Sequence, residues 1–230
     1  MFRVSVSLAD FYYWENKFNI NSELEYLKLI KKLGVNGVEI HSSEEEILNN
    51  NILKFEHKLK NLFVTLHLPT YKESNEFYEK LKEIKKKLKV HYFIIHADDY
   101  DKKKQLPKEL PFIIENSDKR KKKYKNTKDM IKFKHNFCFD IDHSEEIFKN
   151  KVKEQYNYIK KRVKEFHIST ISNPIYKKYK YHTYHKLITR SGKEIPKYLN
   201  KNTNFVIEGL IPVNRIDLLK EEIKKIKDIL

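Results

Sequence analysis

The sequence contains few of the residues that interrupt regular structure or cross-link a chain. Its 230 residues include four glycines, six prolines and one cysteine. A single cysteine excludes an internal disulfide framework and is typical of proteins in a reducing compartment. No apolar run approaches the roughly 18 residues that a membrane-spanning helix needs, and the N-terminus lacks a signal-peptide pattern. We therefore expect a soluble, cytoplasmic protein with no membrane partner.

Positive charge is in excess. Lysine and arginine number 48 against 32 acidic residues, which gives a formal net charge of +16. Such a balance favours polyanionic partners, because basic side chains displace counterions from a phosphate backbone. Enrichment in lysine and glutamate is also typical of proteins from heat-adapted organisms. The charge alone therefore does not distinguish a nucleic-acid partner from a compositional bias.

Eight short apolar runs recur along the chain, and helical patterns follow most of them. The segment 42–60, for example, has the composition of a helix after the second run. Apolar strands that alternate with helices indicate a parallel sheet covered on both faces, and eight such units in this length predict a compact (β/α)₈ TIM barrel. We expect one domain over residues 1–230. The runs are 2–8, 37–41, 62–67, 91–96, 110–115, 136–141, 163–168 and 204–209.

Six consecutive runs have histidine, aspartate or glutamate as their last residue or as the residue before it. In a barrel these residues meet at the C-terminal rim, where TIM-barrel enzymes place their chemistry. Imidazole and carboxylate together suit Zn²⁺, with Mn²⁺, Fe²⁺ or Co²⁺ as other occupants, whereas Mg²⁺ or Ca²⁺ would not need the histidines. The alternative is that polar residues simply mark strand exits, but a metal site explains the whole set better. The six residues are His67, His96, Glu115, Asp140, His167 and Glu208.

Four further residues receive lesser roles. His41 ends the second run, where we expect a hydrogen-bonding residue at the rim. Glu39 lies two positions earlier on the same face of the strand, and we expect it to orient a metal-bound imidazole. We expect Cys138 to pack inside the barrel rather than to bind metal. Asp142 alternates away from its neighbours and is left out of the site.

The strand ends resemble those of the xylose-isomerase-like TIM barrels and, among these, of endonuclease IV, the apurinic/apyrimidinic endonuclease. The segment CFDIDH (138–143) is similar to a family strand that ends Cys-Leu-Asp-Thr-Cys-His. HLPTY is similar to the family's His-Ala-Pro-Tyr, IIEN to its Glu-Asn, and TYH stands where the family has Asp-x-His. The segments FHIS and VIEG complete the pattern, which covers almost the whole chain. The matched residues are His67, Glu115, Asn116, Cys138, Asp140, His143, His167, His185 and Glu208.

The resemblance implies a zinc-dependent DNA-repair hydrolase that cleaves DNA at abasic sites and holds up to three zinc ions. His67, His96 and Glu115 would hold one ion, and Glu115 would bridge to a second. Asp140, His167 and Glu208 would hold the second ion. His143 and His185 would hold the third. Glu115 and Glu208 are the residues that the resemblance implicates in catalysis.

The sequence departs from this family at several positions. Thr183 replaces the aspartate of the third site, and the aromatic residue of His-Ala-Pro-Tyr stands one place later, as Tyr71. Two glycine-rich features of the family are absent, and the chain is shorter than typical members. These departures affect the third metal site and the loops that contact DNA most directly.

Two other functions remain open. A sugar or sugar-phosphate isomerase or epimerase of the same barrel class would bind a small sugar and need one Mn²⁺-like ion. Glu115, Asp140, His167 and Glu208 would be its whole site, whereas the additional imidazoles of His67, His96 and His185 favour the multi-zinc alternative. A barrel that binds polyanions without catalysis would instead use the basic stretch 119–128 and the nearby tyrosines. Those tyrosines are Tyr176, Tyr179, Tyr181 and Tyr184.

Overall fold

The structure, a computed structural model, confirms the predicted (β/α)₈ barrel. It describes residues 3–8, 20–102, 106–171, 185–186, 194–209 and 216–229, with the backbone alone at 20–25, 170–171, 185–186 and 229. Eight parallel strands close into a barrel in the spatial order β1, β10, β7, β6, β5, β4, β3 and β2. Two further strands of two residues each, β8 and β9, pair antiparallel outside it.

The ends of the strands lie within two residues of the ends of the predicted runs. The barrel strands are β1 Arg3–Ser7, β2 Gly37–His41, β3 Phe63–His67, β4 Val90–His96, β5 Phe112–Glu115, β6 Asn136–Asp140, β7 Val163–Ile168 and β10 Asn204–Ile207. The two short strands are β8 Thr170–Ile171 and β9 His185–Lys186.

Helices connect most of the strands, and local signals set several of their ends. Ser43 and Glu46 form a capping box at the start of α2, and the Ser74 hydroxyl accepts from the Phe77 amide at the start of α3. No helix in the described part of the chain is long and apolar enough to span a membrane. The helices are α1 Ile20–Lys32, α2 Glu44–Leu48, α3 Asn75–Leu88, α4 Ala97–Tyr100, α5 Ile141–Phe148, α6 Val152–Ile159 and α7 Ile216–Ile229.

The segment 42–60 is not one helix, contrary to the composition-based expectation. Helix α2 ends at Leu48, and a 3₁₀ turn over Asn51–Phe55 follows it. Asn50 between them has φ of 59°, in the left-handed region that asparagine tolerates better than most residues. Three consecutive asparagines therefore end the helix and start a new turn.

Alternation along the strands separates two layers of buried side chains. Residues such as Val4, Val6 and Ile40 belong to the large core between the barrel and its helices. Ile94, Ile113 and Cys138 form a separate cluster inside the barrel, as expected for Cys138. Because alternate residues face opposite sides of a strand, the inward-facing series continues upward to His96, Glu115 and Asp140 at the C-terminal ends. The fold thus delivers these side chains to one end of the barrel.

Gly37 permits the close approach of β1, β2 and β3. A Cβ atom at this position would overlap the Ser5 hydroxyl oxygen and would lie only 2.6 Å from the Phe63 carbonyl oxygen. Backbone cannot move aside as a flexible side chain can, so the first three strands depend on a glycine here.

We predict that Gly37→Ala lowers the free energy of unfolding by about 1–3 kcal/mol, because the added methyl group overpacks the barrel. Urea denaturation of the two proteins measures this difference, with Lys60→Ala on the exposed surface as the control. Equal stability of Gly37→Ala and the parent would show that the strand contact is not close-packed.

Candidate metal centre

Strand pairing brings the six predicted strand-end residues to the same rim. His96 is in register with Glu115, and Asp140 with His167. His67 pairs with His41, and Glu208 directly follows β10 next to β7. In the described residues, the potential ligand atoms form four overlapping groups. Within each group these atoms all lie within 4.8 Å of one another. All six predicted strand-end residues belong to at least one of these groups.

The Glu115 carboxylate lies at the centre of this arrangement and is almost fully buried. Its Oε2 atom lies 2.9 Å from His67 Nε2 and 3.3 Å from His96 Nδ1. Its Oε1 atom lies 3.4 Å from the Nδ1 atoms of both His143 and His167. Burial raises the pKa of this carboxyl, but the imidazoles that surround it outweigh burial and lower the pKa well below its usual value. Glu115 is therefore an anion with one oxygen facing each half of the site.

His67 and His96 form the first half. His67 Nδ1 lies 3.3 Å from the Leu68 carbonyl oxygen, so this nitrogen donates and Nε2 is left to face Glu115. Burial lowers the pKa of His67, but the hydrogen bond to Glu115 and its charge raise it to about 9. Burial lowers the pKa of His96 to about 4, so its imidazole is neutral at pH 7. A neutral imidazole is the form that binds a metal.

His167 is the centre of the second half and is completely buried. Its Nδ1 atom lies 3.2 Å from Glu208 Oε2, 3.4 Å from Glu115 Oε1 and 4.0 Å from Asp140 Oδ2. Three carboxylate oxygens therefore surround one ring nitrogen. Burial lowers the pKa of His167, but Cys138, Glu208 and other nearby acidic groups raise it well above its usual value in this arrangement.

Asn116 fixes Asp140 and His143 beside Glu115. Its side-chain amide donates to the Asp140 carbonyl oxygen at 3.0 Å, and its Oδ1 accepts from the Asp140 amide at 2.8 Å. Asp140 in turn caps α5 by accepting from the His143 amide at 2.8 Å. The Asn116 carbonyl oxygen lies 2.9 Å from His143 Nδ1, and the same nitrogen lies 3.5 Å from Asp140 Oδ2.

Glu39 is buried beneath the site and contacts two imidazoles, as expected for an orienting carboxylate. Its Oε2 lies 3.0 Å from His167 Nε2, and its Oε1 accepts from His41 Nε2 at 2.8 Å. Burial raises the pKa of Glu39, but His167 and His41 lower it well below its usual value. Glu39 and His167 therefore form a buried ion pair through Nε2, and the opposite nitrogen, Nδ1, faces the three carboxylates above.

Glu165 is a fully buried carboxyl two residues before His167 that was not predicted from the sequence. Asn204 donates to one of its oxygens, and the other lies 3.6 Å from His167 Nε2. Burial raises the pKa of Glu165, and Glu39 nearby adds to this effect. The two-residue alternation in VKEFHI places Glu165 and His167 on the same strand face, and this pattern could have revealed it. Cys138 lies near both residues, and burial keeps the pKa of its thiol well above the usual value.

Several predicted features fall outside this geometry. The side chain of His185 lies outside the described residues, as do Thr183 and the four tyrosines between residues 176 and 184. Asp142 is buried, accepts from the Ser169 hydroxyl at 3.3 Å and belongs to none of the four groups, consistent with its omission. His143 lies in one group with Glu115 and Asp140, which are the residues expected to hold the first two ions.

The basic stretch 119–128 follows Glu115 on the same end of the barrel. Several of its cations pair with acidic residues: Lys121 lies 3.0 Å from Asp98, and Lys123 lies 3.0 Å from Asp101. Lys119 similarly pairs with Glu146. Lys122 and Lys128 are exposed beside these pairs. The stretch is thus a partly neutralised basic surface next to the candidate site.

The donor set fits divalent metal ions of the zinc type. His96 Nδ1 and His167 Nδ1 are buried and have no hydrogen-bond partner, although both face carboxylate oxygens. A buried polar atom without a partner is unfavourable by about 1–3 kcal/mol, and a cation between nitrogen and oxygen would satisfy both. Mixed imidazole and carboxylate ligands suit Zn²⁺ and its neighbours in the first transition row.

We predict that the metal-free protein loses stability as the pH rises from about 6.5 to 9. The folded state holds the His67 proton up to about pH 9, whereas an ordinary histidine loses it near 6.5. This stabilisation is fully present below pH 6.5 and is lost as the pH passes 9, by about 3 kcal/mol. His167 acts in the same direction.

Urea denaturation of chelator-treated protein at pH 6 and at pH 9.5 measures this loss. His67→Gln serves as the control and is expected to lose less over the same interval. A stability that does not change with pH in the metal-free protein would contradict the pairing of His67 with an ionised Glu115.

No family model and no curated protein matches the chain. Solved structures do match it. The structure of SacUVDE superposes with a TM-score of 0.58 and 14% identity over 100% of both chains. An uncharacterized protein from Parabacteroides distasonis gives 0.57 and 12%, covering 100% of this chain and 99% of its own. A xylose isomerase domain containing protein from Salmonella typhimurium gives 0.55 and 9%, covering 99% and 97%. The chain shares the TIM-barrel fold of these proteins.

Proposed function

We propose that the protein is a metal-dependent phosphodiester hydrolase that acts on DNA at abasic sites, with up to three zinc ions. The observation that carries this proposal is the division of Glu115 between two sets of imidazoles. One oxygen faces His67 and His96, and the other faces His143 and His167. A carboxylate placed in this way suits a bridge between two metal ions.

The assignment of residues follows from this division. His67, His96 and Glu115 would hold one ion, and Asp140, His167 and Glu208 would hold a second beside the other oxygen of Glu115. His143 would contribute to a third ion together with His185. Glu208 is more exposed than the other carboxylates, with 11% of its side chain accessible, so it reaches the edge where substrate would enter.

Clustered divalent ions lower the pKa of a water molecule and neutralise charge on a phosphate and its leaving oxygen. The residues of this chain supply the positions that such chemistry needs. Asn116 holds Asp140 and His143 in place, and Leu68 and Glu39 fix the ring nitrogens of His67 and His167. Burial of Glu115 and His167 keeps bulk water from competing for these ligand atoms.

A DNA substrate agrees with the charge of the molecule. The net charge of +16 favours a polyanion, and the basic stretch 119–128 follows Glu115 directly along the chain. A basic surface beside a metal centre would contact phosphates on either side of the bond that is cleaved.

The second candidate function is a sugar or sugar-phosphate isomerase or epimerase with one Mn²⁺-like ion. The observation that favours it is the group of three carboxylate oxygens around His167 Nδ1, which would complete a single-ion site. His67 and His96 distinguish the two functions, because a single ion bound there would leave both imidazoles without a ligand role.

We predict two to three zinc ions per chain after metal-free purification and reconstitution, measured by elemental analysis. The reconstituted protein is expected to incise duplex DNA at an abasic site and not the intact duplex. Glu115→Gln is expected to bind at least one ion fewer and to lower kcat by about 1000-fold or more, because it removes the proposed bridge.

His57→Gln is the matched control, since His57 is exposed and belongs to none of the four ligand groups. One ion per chain with no further zinc uptake, together with intact abasic DNA, would exclude the hydrolase. Turnover of an aldose or ketose by that one-ion protein would establish the second candidate.

We further predict that Glu39→Gln weakens zinc binding by about 10- to 100-fold, because the amide no longer fixes the proton on His167 Nε2. Competition with a chromogenic chelator measures the change, and Glu45→Gln on the exposed surface of α2 is the control. Unchanged affinity in Glu39→Gln would show that the contact with His167 does not orient the ligand.

A further inference from the structure

His41 lies at the mouth of the site and is held there by two contacts. Its ring stacks on that of His67 with centroids 4.5 Å apart and an interplanar angle of 12°. Its Nε2 atom donates to Glu39 Oε1 at 2.8 Å. About a third of its side chain remains exposed, at 35%. The sequence predicted only a hydrogen-bonding residue at the rim. In the structure, the stack on His67 and the hydrogen bond to Glu39 together fix the orientation of the imidazole.

Glu39 determines which nitrogen of His41 carries the proton. The carboxylate divides its two oxygens between His41 Nε2 and His167 Nε2, and an ionised carboxylate can only accept. Because Nε2 donates to Glu39, the neutral His41 ring carries its lone pair on Nδ1. In His167, Nδ1 instead faces three carboxylate oxygens, which is the position of a ligand in the proposed metal site.

The lone pair of His41 has a different use. His41 belongs to none of the four groups of potential metal ligands found in the described residues. Besides Glu39, the Glu208 carboxylate also lies near the ring, 4.0 Å from Nε2. An imidazole fixed on one side by a buried carboxylate and partly open to solvent presents an acceptor to whatever enters the site.

We propose that His41 Nδ1 accepts a hydrogen bond from a hydroxyl of the substrate sugar and thereby sets substrate specificity. This inference rests on the proposed function. A deoxyribose that has lost its base carries a hydroxyl on the carbon that held the base, whereas an intact nucleotide has none there. An acceptor at this point would favour base-free sugars. A bound substrate shields the acceptor from water, and a shielded acceptor left unpaired is unfavourable.

The test compares His41→Phe with the parent on two duplexes. His41→Phe keeps an aromatic ring against His67 but removes the acceptor. One duplex carries an abasic deoxyribose, and the other carries its tetrahydrofuran analogue, which lacks the hydroxyl. We expect KM to rise about 5- to 10-fold on the first duplex and to stay unchanged on the second. Zinc content is expected to match that of the parent and of the control His57→Phe, whereas the melting temperature is expected to fall because the buried Glu39 carboxylate loses its His41 donor.

Equal effects on both duplexes, or a loss of zinc in His41→Phe, would overturn the proposal. If the parent cleaves neither duplex, the proposed function fails, and nitrogen NMR of the ring decides the assignment of the lone pair. A protonated Nε2 with an unprotonated Nδ1 would then retain His41 as an acceptor at the mouth of the barrel. A ring protonated on Nδ1 alone would overturn it.

Discussion

The site depends on one buried charge, the carboxylate of Glu115. An ionised carboxylate inside a barrel is strongly unfavourable unless opposite charges or hydrogen-bond donors surround it. Here β3, β4, β7 and α5 each direct an imidazole at one of its two oxygens. The positions of the histidines are therefore a consequence of that charge, and a metal cluster that replaces the ring protons would satisfy the same demand with stronger interactions.

The residues around this charge act by fixing protons rather than by adding ligands. The Leu68 carbonyl oxygen lies against Nδ1 of His67, the Asn116 carbonyl oxygen against Nδ1 of His143, and Glu39 against Nε2 of His167. In His67 and His167 the opposite nitrogen faces Glu115. In His143 it is Nδ1 itself that lies 3.4 Å from Glu115. Because a ring with the wrong tautomer presents hydrogen where a metal requires a lone pair, these contacts are as necessary to the site as the ligands.

Much of this arrangement could be predicted from the sequence. Short apolar runs located all eight barrel strands, and the polar residues at or next to the ends of those runs pointed to Glu115, Asp140 and His167, since a parallel barrel brings those ends together. Contacts that depend on side-chain torsion could not be predicted, including which oxygen of Glu115 faces which ring. The break at Asn50 depends on a left-handed backbone that no periodicity reveals. Glu165 was missed although the two-residue alternation of its strand places it on the same face as His167.

The fold does not by itself decide between a hydrolase and an isomerase, because the same barrel can carry both chemistries. The number of imidazoles is the more informative quantity. One ion beside His167 would leave the buried Nδ1 atom of His96 without a partner and His67 bound only to an anion. Burying such groups without a role is unfavourable, whereas a second ion on the other oxygen of Glu115 uses both rings. The cost of leaving them unused is the physical reason to favour more than one metal, and hence phosphoryl chemistry, at this rim.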